Sequence, residues 1–316
     1  MNLKRFVSII VSVGILFYLY GQIDRENLWR VWQNCDRQTL AVSLAMVIPI
    51  TLVTSWRLQQ LVPQPGIGLI EANRLILGAS VLNMVLPSKM GDIAKAYFMS
   101  DRSNISTSLA LAISIFEKAC DLLSLLLWCA FGLLLYSAKD HLFWMMTTAV
   151  MAGLVLGWLM LGSRQFADFW FRLIIGLVPQ PLQHKMRKMQ SSWSQMYCYF
   201  WGNQRQLFMV AIISVFIWYL HLLQIWLFIL ALKASVPFVT SLALSPLSIL
   251  AGLLPLTFAG VGTRDAALIY FYQDYLSQAT GAALGILCTS RYFIPALIGL
   301  PFLRQMLEAV NSKTKN

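Results

Sequence analysis

The fold is decided by the stretch Ser80-Val-Leu-Asn-Met-Val-Leu-Pro-Ser-Lys-Met-Gly-Asp-Ile-Ala-Lys95. Near the other end of the chain, the same order returns in Ser248-Ile-Leu-Ala-Gly-Leu-Leu-Pro-Leu-Thr-Phe-Ala-Gly-Val-Gly-Thr-Arg-Asp265. Each copy has a short apolar run, then Leu-Pro, then small residues and glycine, and then basic and acidic residues. Ser80 and Ser248 are 168 positions apart, as are the two Leu-Pro pairs. The chain therefore contains an internal repeat, which matches only loosely after the proline.

Each apolar run is too short or too broken for an ordinary membrane span. Residues 75–88 are free of charge over only 14 positions, whereas a spanning helix needs about 20 apolar residues. Because proline disfavours helix before it and lacks an N–H, we predict two half-helices that meet at a break inside the membrane. Such breaks line cavities, and a pair of them is typical of a transporter site. Alternatively, Pro87 and Pro255 end two helices that lie on the surface.

The composition is that of an integral membrane protein. Of 316 residues, 58% are hydrophobic and 12% are charged, whereas soluble domains carry about 25% charged residues. The 24 Lys and Arg exceed the 13 acids, and because they lie between apolar runs they favour anionic lipid heads over nucleic acid as partners. The five cysteines form no Cys-x-x-Cys and the three histidines are scattered, so we expect no disulfide framework, metal site or cofactor.

We predict an all-α polytopic membrane protein with a single transmembrane domain over residues 1–316. It has two re-entrant broken hairpins, at about 72–99 and 236–277, and about six full spans. The spans are 6–23, 38–56, 104–138, 142–163, 206–232 and 279–303. A signal peptide is the alternative for the first run, but no small-x-small cleavage site follows it.

The segment 164–205 fixes the predicted orientation. It carries six Lys or Arg against one acid, together with three tryptophans. This composition indicates an amphipathic, interfacial connection on the cytoplasmic side, and it places both termini in the cytoplasm. The two hairpins then open from opposite faces. The first repeat, about 38–138, and the second, about 206–303, are thus predicted to be inverted relative to each other.

Charges inside apolar runs are candidate binding residues, because a charge at mid-bilayer costs at least about 2.5 kcal/mol. Glu117 and Asp121 share one helix face, and Lys118 is spaced to pair with Asp121. Arg291 lies well inside its span, and we expect it to point towards the Glu117–Asp121 face or the hairpin tips. The alternatives are that the first cluster anchors a helix end and that Arg291 snorkels to the surface.

The hairpins offer groups that suit a phosphate. A half-helix N-terminus presents free N–H groups and partial positive charge, glycine allows close approach, and basic side chains add full charges. Asp92 and Lys95 are spaced to pair on one helical turn. A solvated hairpin mouth is the alternative for each of these charges. The candidate substrate-binding residues are Pro87, Ser88, Lys89, Gly91, Asp92, Lys95, Pro255, Thr257, Gly260, Gly262, Thr263, Arg264 and Asp265.

These motifs resemble those of the lysylphosphatidylglycerol synthase transmembrane (flippase-like) family over almost the whole chain. The matching pieces are Pro87-Ser-Lys-Met-Gly-Asp92 with Lys95, Glu117-Lys118-x-x-Asp121, and Pro255…Gly260-Val-Gly-Thr-Arg-Asp265. The resemblance implies arginine where Lys89, Lys95 and Lys118 stand, and glutamate where Asp265 stands. Lysine lacks the forked contact of arginine. A stand-alone member is expected, because the chain after 303 is too short for the aminoacyl-transferase domain of bifunctional members.

The resemblance implies lipid translocation between leaflets. The leading prediction is the flipping of an aminoacylated or anionic phospholipid, or of a polyprenyl-phosphate carrier, in a bacterial or archaeal inner membrane. An enzyme is not expected, since the segment 164–205 has one acid and no Asp-x-Asp. A non-catalytic, lipid-presenting subunit of a glycosyltransferase or envelope-lipid system stays open, as does a scaffold without transport. A homo-oligomer and a lipid-modifying enzyme partner also stay open.

Overall fold

The computed structural model describes residues 21, 24–63, 66–85, 91–103, 105–136, 139–253 and 262–313. This part of the chain contains thirteen helices and no strand. The helices are α1 (Arg25–Gln33), α2 (Arg37–Ala45), α3 (Val47–Leu61), α4 (Leu69–Val85), α5 (Gly91–Ser103), α6 (Thr107–Leu135), α7 (His141–Gly162), α8 (Arg164–Leu177), α9 (Gln180–Trp201), α10 (Gln204–Ala231), α11 (Phe238–Gly252), α12 (Thr263–Phe271) and α13 (Gln278–Lys313).

Five helical segments in the described part of the chain are long and apolar enough to cross a membrane, by length and composition. They coincide with five of the six predicted spans, and the sixth, 6–23, falls almost entirely outside the described residues. The chain is therefore an all-α polytopic membrane protein, as predicted. The five segments are Arg37–Leu61, Thr107–Leu135, His141–Gly162, Gln204–Ala231 and Gln278–Leu303.

Each predicted hairpin consists of two short helices that contact each other, α4 with α5 and α11 with α12. The start of α5 lies so close to α4 that a Cβ at Gly91 would stand 2.5 Å from the carbonyl oxygen of Ala79. Glycine at this position therefore allows the two helices to meet. Pro87 and Pro255, at the predicted breaks, lie outside the described residues. The re-entrant course of both hairpins remains a prediction.

Each half of the chain packs one of its helices against the other half. The first arm of each hairpin packs along the long helix that follows the other hairpin, α4 on α13 and α11 on α6. A Cβ at Gly299 would collide with the carbonyl of Leu77, and one at Gly132 would collide with the carbonyl of Ala243. The glycines are 167 positions apart and their partners 166, close to the sequence repeat of 168. Both halves thus make the same close contact, which small residues permit between membrane helices.

The equivalent spans α2–α3 and α10 run in opposite directions. At one end, the backbone N–H of Asp36 donates to the carbonyl of Ala231 at 2.8 Å. At the other end, the side chain of Gln206 donates to the carbonyl of Gln60. The start of one helix therefore meets the end of the other, which is the relation that an inverted repeat requires.

Of the two larger hydrophobic cores among the described helices, one is built mainly from the first half of the chain. The other is built mainly from the second half, together with Leu125 to Leu133 of α6. The basic segment forms α8 and α9, which pack on the core of the first half through Phe171 and Trp193. Phe200 of α9 stacks on Phe116 of α6, with ring centroids 4.1 Å apart. Helix α9 therefore packs on α6 at the helical turn that carries Glu117.

Candidate functional site

Six charged side chains from three helices form a closed ring of alternating sign, which we call the charge ring. Helix α3 supplies one member, α5 two and α6 three. Buried charges are costly unless they are paired. The ring therefore allows two candidate membrane spans and the short helix α5 to hold six charges with no net charge. In order around the ring, the members are Arg57, Glu117, Lys95, Asp92, Lys118 and Asp121.

Arg57 organises the enclosed side of the charge ring. Its Nη2 lies 3.0 Å from Glu117 Oε1 and its Nη1 lies 2.5 Å from Asp121 Oδ1. The same Nη1 donates to Ser214 Oγ of α10 at 2.9 Å, and Lys95 pairs with the second oxygen of Glu117. The side chains of Arg57, Lys95 and Glu117 are each only 1% exposed. Protein therefore encloses this side of the ring completely.

Lys118 forms the open side of the charge ring. Its Nζ lies 3.3 Å from Asp92 Oδ2 and 3.4 Å from Asp121 Oδ2. Lys95 completes the ring at 4.0 Å from Asp92 Oδ1. The Lys118 side chain is 46% exposed, against 13% for Asp92 and 21% for Asp121. The ring therefore extends from the protein interior to an accessible surface.

A second cluster lies where α12 meets α13. Arg264 Nη2 lies 2.9 Å from Asp265 Oδ1, and both side chains are buried. The same nitrogen donates to Thr289 Oγ1 at 2.6 Å, while the backbone N–H of Gly262 donates to Asp265 Oδ2 at 3.0 Å. A Cβ at Gly285 would lie 2.8 Å from Asp265 Oδ1. Glycine at position 285 thus makes room for this carboxylate against α13.

Arg291 lies on α13, two residues beyond Thr289, and is 4% exposed. Its Nη2 donates to the hydroxyl of Tyr292 at 3.0 Å. Its Nε and Nη1 are buried, and within the described residues they have no hydrogen-bond partner. Arg291 forms no ion pair with any of the described residues. Arg291 is therefore a buried cation that no described acid neutralises.

Arg291 was expected to point towards the Glu117–Asp121 face or towards the hairpin tips. Arg57 occupies that face, and Arg291 forms no ion pair with Glu117 or Asp121 among the described residues. The hairpin tips lie outside the described residues, so that alternative stays a prediction. The sequence prediction ended the second span just before Arg57. Helix α3 in fact continues to Leu61, so that Arg57 lies a full turn inside it. Leu58 and Leu61, which are both fully buried, continue the apolar pattern of the helix beyond Arg57 and could have indicated this longer span.

The other predicted residues fall into four groups. Asp92, Lys95, Glu117, Lys118 and Asp121 join the charge ring, with the predicted Lys118–Asp121 and Lys95–Asp92 pairs both present, whereas Gly262, Arg264 and Asp265 join the second cluster. Gly91 and Thr263 begin α5 and α12. The candidates outside the described residues are Pro87, Ser88, Lys89, Pro255, Thr257 and Gly260. Ser214 and Thr289 were missed, because a hydroxyl inside an apolar run does not stand out.

The chain has detectable similarity to known proteins over most of its length. Residues 5–299 match the family model described as the lysylphosphatidylglycerol synthase TM region. A UPF0104 membrane protein of Methanocaldococcus jannaschii is 21% identical over 321 aligned positions, which cover 94% of this chain and 93% of the relative. Both matches include the charge ring and the second cluster.

Proposed function

The chain belongs to the family of the lysylphosphatidylglycerol synthase TM region, and we propose that it moves a phosphate-containing lipid between the leaflets of its membrane. The lipid is an aminoacylated or anionic phospholipid or a polyprenyl phosphate. In this proposal the protein is a transporter and not an enzyme. It acts in a cell inner membrane with both termini in the cytoplasm.

The surplus charge of Arg291 is the observation that carries the proposal. The charge ring contains three cations and three anions, and Arg264 is matched by Asp265. Arg291 adds one positive charge, which is buried within a candidate span and has two guanidinium nitrogens free of described partners. An unpaired charge there is costly. A lipid phosphodiester carries one negative charge and accepts the forked hydrogen bonds that a guanidinium donates.

The surroundings of Arg291 also suit a phosphate. Arg264 Nη1 approaches the carbonyl of Cys288 at 3.5 Å, so a second guanidinium group contacts α13 one turn before Arg291. The hydroxyl of Thr289 already accepts from Arg264. A phosphate beside Arg291 would thus meet positive potential from two arginines, only one of which has a carboxylate of its own.

A lipid-scrambling assay tests this proposal. We would reconstitute the purified protein into vesicles that contain phosphatidylglycerol with a fluorescent acyl chain, and then bleach the outer leaflet with dithionite. Movement between leaflets makes nearly all of the fluorescence accessible to dithionite. A fluorescent glycolipid with the same tails and no phosphate should move far less, because it cannot neutralise Arg291.

Two variants separate phosphate binding from folding. Arg291→Gln should abolish movement of the phospholipid, whereas Arg291→Lys should keep part of it, because the charge remains and the forked donor is lost. Arg25→Gln, an exposed arginine on α1, is the matched control and should behave as the parent. Folded Arg291→Gln protein that moves phosphatidylglycerol at the parental rate would overturn the proposal.

A further inference from the structure

Helix α8 presents an unpartnered apolar face. Ala167 and Phe171 are buried in the core of the first half. The neighbouring face of the helix carries four large apolar side chains, all of which are exposed. The last of them, Leu177, is 78% exposed. Their spacing of i, i+3, i+4 and i+7 places them in one stripe along the helix. They are Trp170, Leu173, Ile174 and Leu177.

The opposite side of α8 is polar. Gln165, Asp168 and Arg172 lie on it by helical spacing, and Arg164 reaches Asp168 at 3.7 Å. Gln190 of α9 donates to Asp168 Oδ1 at 3.2 Å, which ties the two helices together. Helix α8 is therefore amphipathic, with one part of its apolar sector packed on protein and the other part exposed.

We propose that the exposed stripe of α8 lies in the membrane surface and that the α8–α9 segment binds anionic lipid headgroups there. Amphipathic helices with a basic polar side and Trp, Phe or Leu on the apolar side lie in this way, with the apolar face buried about 5–10 Å into the headgroup boundary. This binding surface is separate from the buried arginines and does not depend on lipid movement.

Continuity with a membrane span places the bilayer against the stripe. Only Ser163 separates the end of the candidate span α7 from the start of α8. Helix α7 exposes large apolar residues as well, among them Val155 and Trp158. Since lipid surrounds a spanning helix on such a face, α8 begins at the boundary of the bilayer. Its exposed stripe is therefore within reach of the headgroup region.

Charge selects anionic headgroups over neutral ones. The segment from 164 to 205 contains six basic residues and one acid, and the exposed basic residues include Arg172 on α8 and Arg187 and Lys188 on α9. Basic residues close to an anionic surface each contribute about 1 kcal/mol of attraction. Asp168 is engaged by Gln190 and Arg164 and offsets only one of the positive charges.

Spin labelling tests the position of the stripe. Cys35 and Cys198 would be replaced by serine, since the other three cysteines are buried. A nitroxide would then be placed on Leu177→Cys, or on Gln165→Cys as the polar-side control, in vesicles of equal parts phosphatidylglycerol and phosphatidylcholine. The label at 177 should be relaxed mainly by oxygen, which concentrates in the bilayer, and the label at 165 mainly by a nickel chelate in water.

Spin-labelled lipids test the charge selection in the same vesicles. The parent protein should immobilise spin-labelled phosphatidylglycerol in preference to spin-labelled phosphatidylcholine, with a relative affinity of roughly twofold or more. The triple variant R172Q/R187Q/K188Q should lose that preference. Equal access of nickel to both labelled positions would overturn the proposal. So would protection of position 177 that appears only when the protein-to-lipid ratio rises, because that result indicates a contact between two copies. An unchanged preference in the triple variant would also overturn it.

Discussion

Glu117 and Gly285 stand 168 positions apart, at equivalent places on α6 and α13, and a carboxylate that pairs with a base is found at each place. In the first half, Glu117 itself supplies the carboxylate and Lys95 of α5 supplies the base. In the second half, Gly285 leaves room for the carboxylate of Asp265, which pairs with Arg264 of α12. The two halves thus hold the same acid–base contact with the acid on different helices.

This equivalence predicts that a carboxylate introduced at position 289 compensates in part for the loss of the Asp265 carboxylate. Asp265→Asn leaves Arg264 buried without a carboxylate and should destabilise the protein by about 3–5 kcal/mol. Thr289, which accepts from Arg264 at 2.6 Å, is the equivalent of Asp121 in the charge ring. The double variant Asp265→Asn/Thr289→Asp should therefore regain part of the lost stability, measured by thermal unfolding in detergent.

The neighbouring residue Ser290 provides the control for this rescue. Its side chain donates to the carbonyl of Leu287 and lies on another side of α13. Asp265→Asn/Ser290→Asp should remain as unstable as Asp265→Asn alone. Equal recovery with aspartate at 289 and at 290 would show that the repeat does not define a second carboxylate position.

Much of the fold could be read from the sequence, because long apolar runs are strong local signals for membrane spans. The ion-pair partners of the charged residues could not all be read from it. Lys118 and Asp121 are neighbours on one helix, and their pairing follows from spacing. Arg57 meets Glu117 only through the packing of α3 against its neighbours, 60 positions away in the chain. The pattern of one helix does not encode such a contact.

Arg57 should be essential for stability. Arg57→Gln leaves Glu117 and Asp121 without their shared partner on the enclosed side of the charge ring, and we expect a loss of about 3–5 kcal/mol. Arg74→Gln is the matched control, because Arg74 forms an exposed pair with Glu71 at 3.5 Å, and such pairs contribute about 1 kcal/mol or less. Thermal unfolding of both variants in detergent compares them. Similar melting temperatures would mean that the ring does not hold the helices together.

The two close glycine contacts should be equally sensitive to substitution. Gly132→Ala and Gly299→Ala each place a Cβ against a backbone carbonyl that cannot rotate away, so helices must separate, at a cost of about 1–3 kcal/mol. Gly176→Ala on α8 meets no atom within 4 Å and should be neutral or slightly stabilising. Melting temperatures decide the matter. A large loss at only one of the two contacts would contradict their equivalence.

Two native cysteines test the predicted orientation without any introduced residue. Cys35 precedes α2, next to the Asp36–Ala231 contact, whereas Cys198 lies on α9, next to the start of α10. They therefore flank opposite ends of α10, whose 28 residues span about 42 Å. If 164–205 is cytoplasmic, an impermeant maleimide added to intact cells should label Cys35 and spare Cys198.

The pH dependence of that labelling provides an internal check that Cys35 is the reacting group. Partial burial and the Asp36 carboxylate raise the pKa of the Cys35 thiol above its ordinary value. Because maleimide reacts with the thiolate, Cys35 should react more slowly near neutral pH than an unperturbed exposed thiol, and its labelling rate should rise as the pH is raised. The variants Cys35→Ser and Cys198→Ser assign the signal. Labelling that survives in Cys35→Ser and disappears in Cys198→Ser would reverse the orientation of the whole molecule and place the α8–α9 segment outside.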